Sequence, residues 1–314
     1  MLDVLKTTAY VVKNSRFVGI NRDKINELAE NWKRGKIVIP QWNLNYHFFD
    51  NSENTCQYLF ILDSINFCFW AKSESEKWGV WHKNKKIGGY NAFAFCLKKA
   101  FERGVSFEKI GFNEFKNIFE GENNLPLIKQ RFAILKNDLK ILNQKYRGKF
   151  SYLIQKSNFD ASVILSKLIE GFSSFRDEAR YFGKKIAFYK RAQILIGDLY
   201  SAFQGTGWGN LKNLDRLTVF ADYKLPQILR EYGILVYNKD LSEKIDKKNP
   251  ILAGSPEEVE IRANTVWAGE MIRRALKERK INLLSIEIDW ILWEKSHQKR
   301  LKFRPHHLTK TIFY

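Results

Sequence analysis

Apolar residues recur at helical spacing along most of this 314-residue chain, and this period constrains the fold more than any other feature. Near the start, Asn21 can cap a helix that carries Ile25, Leu28 and Trp32 on one face and ends at Gly35. The same period predicts further helices within residues 89–103, 127–142, 161–169, 191–200, 226–232, 259–277 and 286–297. The chain is therefore predicted to be mainly α-helical.

Residues 78–87 read WGVWHKNKKI and depart from this period. Polar turn residues stand at the centre of the stretch, between two short runs suited to strands, which predicts a small β-hairpin. No repeat or low-complexity linker divides the sequence. We therefore expect a single domain over residues 1–314 with one continuous core.

Basic residues outnumber acidic ones, 53 to 34, and the formal net charge is +19. Such a charge favours binding to phosphate, either on a nucleic acid or on a small anionic ligand. The basic residues are spread along the chain and form no block of the kind found in nucleic-acid-binding tails. Charge alone therefore leaves both classes of ligand open.

Several classes of protein are disfavoured by the composition. No apolar run is long enough for a membrane span, and the first residues lack the pattern of a secretory signal, so we expect a cytoplasmic protein. The three cysteines form no C-x-x-C pair, which argues against a zinc site or a disulfide framework. The histidines show no metal-ligand spacing, so no metal site is predicted.

Residues 217–227 read LTVFADYKLPQ and hold one carboxylate, Asp222, among aromatic side chains. Pro226 suits the first position of a helix, so Asp222 is predicted to lie just before a helix start. Aspartate is a favoured N-cap, and capping is one interpretation of this residue. The other interpretation is catalytic, because an acid held there could stabilise a cation on a ring.

Residues 187–193 read AFYKRAQ and contain two adjacent bases, Lys190 and Arg191. Neighbouring residues on a helix point in different directions, so only one of the two is expected to face a site. Lys190 suits a phosphate contact because its ammonium is a compact point charge. Two solvated helix cations are the alternative interpretation.

Residues 63–70 read DSINFCFW and combine polar with aromatic groups inside an apolar run. If the segment is helical, Asp63, Asn66, Phe67 and Trp70 share one face. Buried polar groups need partners, so this face either meets other protein groups or contacts a flat heterocyclic base.

Two later segments carry further candidates. In EVEIR, residues 258–262, Glu258 and Arg262 are spaced as a helix-surface salt bridge, whereas Glu260 lies on another face and could accept hydrogen bonds from a ligand. Asp289 and Trp293 share a face of the last predicted helix. A core tryptophan with a paired aspartate is the alternative to a ligand contact there.

Taken in order along residues 41–314, these segments resemble those of the queuosine salvage proteins, the queuosine 5′-phosphate N-glycosylases. The most specific parts of this resemblance are LTVFADYKLPQ and FYKRAQ. The chain departs from the family pattern at Leu308, where family members usually carry arginine. The other stretches that carry the resemblance are ILDSINFCFW at 61–70, GGY at 88–90, FRD at 175–177, a G-x-G-x-G turn at 205–209, EVEIRA at 258–263, D-x-x-L-W at 289–293, PHH at 305–307 and IFY at 312–314.

The resemblance implies hydrolysis of the N-glycosidic bond of queuosine 5′-monophosphate, which releases queuine for reuse in tRNA modification. It also implies a mainly helical fold similar to that of the helix-hairpin-helix DNA glycosylases. The resemblance further implies that the reaction requires no metal and no organic cofactor. It also implies that the protein requires neither nucleic acid nor a membrane. The family's catalytic aspartate falls on Asp222. The substrate-binding candidates are Lys190, for the phosphate, and Tyr223, Asp63, Asn66, Phe67, Glu260, Asp289 and His47.

The implied chemistry suits these residue types. Cleavage of an N-riboside gives an oxocarbenium-like ribose, and a carboxylate near C1′ stabilises that cation. The sequence leaves open whether Asp222 attacks as a nucleophile or activates water as a base. Queuine is a 7-deazapurine and lacks N7 as a proton acceptor, so polar groups beside the base are expected to assist its departure. Asp63, Asn66 and Asp289 are the candidates.

A base-excision glycosylase or an RNA-binding module is the alternative function. The net charge of +19 and the glycosylase-like layout favour it. The absence of a helix-hairpin-helix consensus, the absence of iron–sulfur cysteines and the scattered charge stand against it.

Overall fold

The computed structural model describes residues 1–73, 75–297 and 303–314. Thirteen α-helices form most of this described part, which confirms the mainly helical prediction. None of these helices is long and apolar enough to cross a membrane. Their bounds are α1 Val4–Lys13, α2 Arg22–Arg34, α3 Glu53–Ser64, α4 Gly89–Glu102, α5 Phe112–Ile118, α6 Ile128–Tyr146, α7 Phe150–Gln155, α8 Ala161–Gly171, α9 Lys190–Ala202, α10 Lys224–Glu231, α11 Lys239–Asp246, α12 Pro256–Glu278 and α13 Ser285–Ser296.

Three antiparallel strand pairs accompany the helices in the described ranges. The predicted hairpin is confirmed: β2 (Gly79–His82) pairs with β3 (Lys85–Gly88). A second hairpin, β4 (Glu178–Tyr181) with β5 (Lys184–Ala187), leads directly towards α9. The third pair joins β1 (Val18–Ile20) to β6 (Leu235–Tyr237).

The two additional strand pairs give weak sequence signals. Phe182 and Gly183 form the turn between β4 and β5, with φ of 44° and 78°. Both residues thus adopt the left-handed backbone conformation of a two-residue hairpin turn. Phenylalanine is uncommon in that position, so the turn is not evident from the sequence. The strands β1 and β6 are three residues each and lie far apart in the sequence.

The segment after α3 does not continue the helix. α3 ends at Ser64, so Asn66, Phe67 and Trp70 lie beyond its end. The segment is not helical beyond Ser64, so these side chains do not share a helix face with Asp63. They belong instead to an extended, irregular segment, residues 65–72.

Asp222 determines where α10 begins. Its Oδ1 accepts hydrogen bonds from the backbone N–H groups of Lys224 and Leu225, at 2.7 and 2.9 Å. The helix consequently starts at Lys224, and Pro226 occupies its third position instead of the predicted first one. The side chain of Asp222 does satisfy helix N–H groups, as the capping interpretation predicts.

The buried apolar side chains form two clusters rather than the one continuous core that we expected. The first is built mainly on α3, α4 and α6–α9, and the second on α2, α10, α12 and α13. Helix α12 contributes to both, with Val259 and Ala263 in the first cluster and Ile261 and Ala268 in the second.

The segment that leads to Asp222, residues 217–221, also lies between the two clusters. Phe220 belongs to the first cluster and Val219 to the second. Two helices approach this segment closely because each presents a glycine to it. A Cβ on Gly269 of α12 would lie 2.5 Å from Val219, and one on Gly197 of α9 would lie 3.0 Å from Phe220. The position of this segment thus depends on glycine in both helices.

Replacing Gly269 with alanine should therefore destabilise the protein. The new methyl group would overlap both Cγ atoms of Val219, and overpacking of this kind typically costs about 1–3 kcal/mol of unfolding free energy. Gly171→Ala is the matched control, because the nearest atom to a Cβ there is Tyr146 Oη at 3.9 Å. Urea denaturation of both variants measures the difference. Equal stability of the two variants would contradict the close approach.

Candidate active site

A cavity of about 1540 Å³ opens between the two clusters. Its described wall includes apolar residues of both, such as Phe67 from the first cluster and Leu28 and Ile291 from the second. The segment that carries Asp222 contributes to the same wall. The candidates Lys190, Tyr223, Asn66, Phe67, Asp289, His47 and Asp222 all line this cavity, so the structure brings seven of the nine predicted site residues together.

Asp222 combines a helix cap with a position on the cavity wall. It is only 8% exposed, and its Oδ1 is held by the N–H groups at the start of α10. Burial raises the pKa of this carboxyl, and the ammonium of Lys190 and the two N–H groups oppose that rise. One oxygen is thus fixed by the fold, while the residue as a whole remains part of the cavity lining.

Lys190 is the first residue of α9 and follows Tyr189, which has a left-handed φ of 52°. Its side chain is buried on the cavity wall. Burial lowers the pKa of its ammonium, whereas the nearby carboxyls of Asp222 and Asp63 raise it. Lys190 therefore supplies positive charge among several acids. Arg191 is not among the described residues that line the cavity, and its guanidinium donates to backbone carbonyls instead.

A buried ion pair fixes the backbone at both Asp222 and Lys190. The guanidinium of Arg262 binds Asp177 through two hydrogen bonds, Nη1–Oδ1 at 2.9 Å and Nη2–Oδ2 at 2.5 Å. Its Nε donates to the carbonyl of Ala221, the residue before Asp222, at 3.1 Å. Asp177 Oδ2 in turn accepts from the N–H of Lys190 at 3.3 Å. One arginine and one aspartate thus link the two sequence motifs.

Glu258 and Arg262 form the predicted i,i+4 ion pair, but the pair is buried and does not lie on the helix surface. Their closest charged atoms are 3.5 Å apart. The bidentate partner of Arg262 is Asp177 of the FRD motif, 85 positions away in the sequence. Glu258 also accepts a hydrogen bond from Tyr314 Oη at 2.8 Å.

Glu260 lies away from the cavity, so the structure does not support the prediction that it contacts a ligand there. Its Oε2 accepts hydrogen bonds from the backbone N–H groups of Arg16, Phe17 and Val18, at 2.9, 2.7 and 3.1 Å. Its Oε1 accepts from Tyr181 Oη at 2.7 Å. This carboxylate holds the start of β1 and the end of β4 on α12, so both of its oxygens already have partners.

Asp63 is not among the described residues that line the cavity, although it supports one that does. It is fully buried, and its Oδ1 accepts from Asn66 Nδ2 at 3.1 Å. Burial raises the pKa of Asp63 to about 7, against the opposing effects of Asn66, Lys190 and Arg191. The structure therefore does not bring Asp63 to the cavity wall, where direct contact with a substrate was predicted; Asp63 instead holds Asn66, which lines the cavity.

Two buried arginines hold the end of α3 and the segment after it by backbone carbonyl groups, a role that the sequence pattern did not reveal. Arg131 of α6 donates to the carbonyls of Ile65, Phe67 and Cys68. Arg191 of α9 donates to the carbonyls of Asp63, Ser64 and Ser174. Backbone carbonyls, rather than carboxylates, thus accept from both guanidinium groups. Asn66 and Phe67 reach the cavity from a segment held in this way.

Residues near the end of the chain pack on the same segment. The N–H of Cys68 donates to the carbonyl of Tyr314 at 2.9 Å, and Trp70 Nε1 donates to the carbonyl of Thr309 at 3.0 Å. Leu308, the departure from the family pattern, is buried and also lines the cavity. This part of the chain therefore forms part of the cavity wall.

Asp289 and His47 occupy different environments within the cavity. Asp289 Oδ2 accepts the N–H of Phe220 at 2.6 Å, so α13 also holds the segment before Asp222. Burial raises the pKa of Asp289 well above its ordinary value, with the Asp222 carboxyl adding to the effect. Burial lowers the pKa of His47 to about 3, and its Nδ1 lies 3.2 Å from Tyr58 Oη. At neutral pH His47 is therefore uncharged.

Tyr223 immediately follows Asp222, and its ring lies against that of His306 with centroids 4.6 Å apart. The structure also adds cavity residues that the sequence did not single out, chiefly Asp198, Tyr90 and Trp42. Asp198 follows Lys190 by eight residues on α9, a spacing at which both side chains can line one groove. That spacing is the only sequence signal that could have identified it.

Among the described residues, no group of three His, Cys, Asp or Glu side chains could hold a metal ion. Fold and cavity together define a mainly helical protein with a buried carboxylate and lysine facing a large polar and aromatic cavity. The family model for queuosine salvage proteins matches residues 46–314. The chain belongs to this family.

Relatives of this chain carry one name, queuosine 5′-phosphate N-glycosylase/hydrolase. The protein from Sphaerobacter thermophilus is 39% identical, with 100% of this chain and 98% of that protein covered. The Dictyostelium discoideum protein is 36% identical, with 99% and 98% covered. The Mus musculus protein is 33% identical, with 98% of each chain covered.

Replacing Arg262 with methionine should strongly destabilise the fold. It leaves the Asp177 carboxylate buried without its partner, and breaking a buried pair in this way costs about 3–5 kcal/mol of unfolding free energy. Arg274→Met is the control, because the side chain of Arg274 is 57% exposed and its pair with Glu270 should contribute at most about 1 kcal/mol. Chemical denaturation of the two variants compares them, and similar small losses would contradict the role given to Arg262.

Proposed function

We propose that this chain hydrolyses the N-glycosidic bond of queuosine 5′-phosphate and releases queuine, the reaction named for its relatives. The observation that carries the proposal is the position of Asp222. This buried carboxylate lines a cavity large enough for a nucleotide, with one oxygen held by backbone N–H groups and a lysine ammonium nearby. The implied substrate is thus a small anionic nucleotide.

Asp222 would act on the ribose. As the C1′–N bond breaks, positive charge develops on the ribosyl ring, and a preorganised carboxylate stabilises that charge in a site of low dielectric constant. Oδ1 is engaged at the start of α10, so Oδ2 is the oxygen available to C1′ or to the attacking water. Both a covalent route and a route through activated water use this oxygen.

Asp289 would assist the leaving base. Its pKa is raised well above the ordinary value, first by burial and also by the Asp222 carboxyl, which favours the neutral acid. A neutral carboxylic acid can donate a hydrogen bond to a base that leaves as an anion. Asp222 and Asp289 would then divide the roles of ionised carboxylate and neutral acid, as paired carboxyls do in other glycosidases.

Lys190 would contact the 5′-phosphate. Its ammonium is buried on the cavity wall, and the surrounding carboxyls oppose the lowering of its pKa by burial. The exposed side chains of Lys36, Lys72 and Lys248 also line the cavity and add positive potential that attracts an anionic nucleotide. A cytoplasmic location and independence from nucleic acid remain predictions from the sequence.

Wild-type protein should convert queuosine 5′-phosphate to free queuine, and Asp222→Asn should lose most of this turnover. Asparagine retains an oxygen that can cap α10 but lacks the negative charge that stabilises the ribosyl cation, so folding should be preserved. Chromatography with mass detection measures queuine, and a thermal melt checks the fold. A folded, fully active Asp222→Asn protein would rule out the assigned role.

Lys190→Ala should raise KM for queuosine 5′-phosphate about tenfold to a hundredfold, the range for loss of a charge-assisted hydrogen bond. Cleavage of queuosine without the phosphate should change little. Removing Lys190 also alters the pKa of Asp222, but this effect is common to both substrates and cancels in the ratio. Lys140→Ala, an exposed lysine outside the cavity lining, is the charge-matched control. Equal losses on both substrates would argue against the phosphate contact.

A further inference from the structure

One side of α9 runs along the cavity and carries charged residues at both ends. Lys190, Ile194, Asp198 and Ser201 all line the cavity, at spacings of four, four and three residues. An α-helix rises about 1.5 Å per residue, so Asp198 lies about 12 Å along the axis from Lys190. A ligand that places its phosphate at Lys190 therefore reaches Asp198 only with a distant group.

Asp198 is an acid without a cationic partner in the described part of the chain. It is 7% exposed, and its Oδ2 is 3.4 Å from Tyr90 Oη, a long hydrogen bond. Burial, with the Asp63 carboxyl second, raises the pKa of Asp198 well above its ordinary value. An opposite charge brought next to this carboxyl would lower its pKa and favour the ionised form.

Aromatic rings surround this end of the cavity. The ring of Tyr90 lies 5.9 Å from that of Trp293 and 5.5 Å from that of His47, centroid to centroid. Trp42 lies against His47 at 4.0 Å. All four residues line the cavity with Asp198. Because His47 is uncharged at neutral pH, no histidinium competes for the carboxylate.

We propose that this end of the cavity binds an alkylammonium group, which is held by Asp198 and enclosed by the rings of Tyr90 and Trp293. A carboxylate among aromatic faces is the chemistry by which proteins recognise organic ammonium ions. The inference rests on the proposed function, since the base of queuosine carries a secondary ammonium on its side arm. Guanine-type nucleotides lack this arm and would leave the buried acid unpaired.

Specificity for the arm-bearing base follows from this arrangement. The ammonium gains a charge-assisted hydrogen bond and contact with the ring faces, whereas a nucleotide without the arm gains neither. Asp198 would thus select the base at a point remote from the bond that is cleaved. It is a specificity residue, and its loss should affect binding more than turnover.

The test compares queuosine 5′-phosphate with 7-deazaguanosine 5′-phosphate, which lacks the arm. In Asp198→Asn, KM for queuosine 5′-phosphate should rise about tenfold to a hundredfold while kcat changes little. The inhibition constant of 7-deazaguanosine 5′-phosphate should be unchanged. Asp198→Glu should restore part of the loss, and Asp240→Asn, an exposed aspartate outside the cavity lining, is the matched control.

A second pair of variants guards against misfolding of Asp198→Asn. Trp293→Leu removes an aromatic ring face and should raise KM for queuosine 5′-phosphate, whereas Trp293→Phe keeps a ring and should restore most of the affinity. Neither should change inhibition by 7-deazaguanosine 5′-phosphate. If leucine and phenylalanine behave alike, the ring contact with the ammonium is refuted.

The remaining outcomes are distinct. Failure of the wild type to release queuine refutes the proposed function itself. An active wild type with unchanged KM in folded Asp198→Asn refutes only the ammonium site. An equal loss of affinity for both nucleotides also refutes it, because the carboxylate would then contact the part of the base that the two nucleotides share.

Discussion

The buried pair of Arg262 and Asp177 is the interaction on which the rest of the site depends. Its members come from α12 and from the segment before β4, and it reaches both the carbonyl before Asp222 and the N–H of Lys190. A guanidinium suits this role because its N–H donors are held in a rigid, planar arrangement. Two of the donors bind a carboxylate, and a third binds a backbone carbonyl. Acid and base are therefore positioned through their backbones, which leaves their side chains available to a ligand.

Backbone anchoring recurs around the cavity. Arg131 holds carbonyls of the segment after α3, Arg191 holds those at the end of α3, and Asp289 holds the N–H of Phe220. Glu260 likewise accepts hydrogen bonds from three successive backbone N–H groups at the start of β1. Several of the buried charges thus fix irregular segments that helices alone could not place. This explains how cavity walls made largely of loops can present polar groups in fixed positions.

Local patterns predicted the helices well and the polar contacts only in part. The cap at Asn21 and the hairpin at residues 79–88 follow from neighbouring residues, and the structure confirms them. Asp222 and Lys190 were identifiable because their motifs are long. Spacing identified Glu258 as a partner of Arg262, but the bidentate partner, Asp177, lies 85 residues away and gives no local signal. Glu260 was misassigned because the sequence does not show which N–H groups converge on it.

Helix α12 belongs to both hydrophobic clusters, and the cavity lies between them. The two sides of the cavity therefore share a continuous helix and cannot rotate as separate rigid bodies without breaking close-packed contacts along it. The cavity opens to solvent past exposed residues such as Lys36 and Lys248, so a ligand can enter without separation of the two clusters. A cavity of this kind is largely preformed, and little of the binding energy is spent on domain closure.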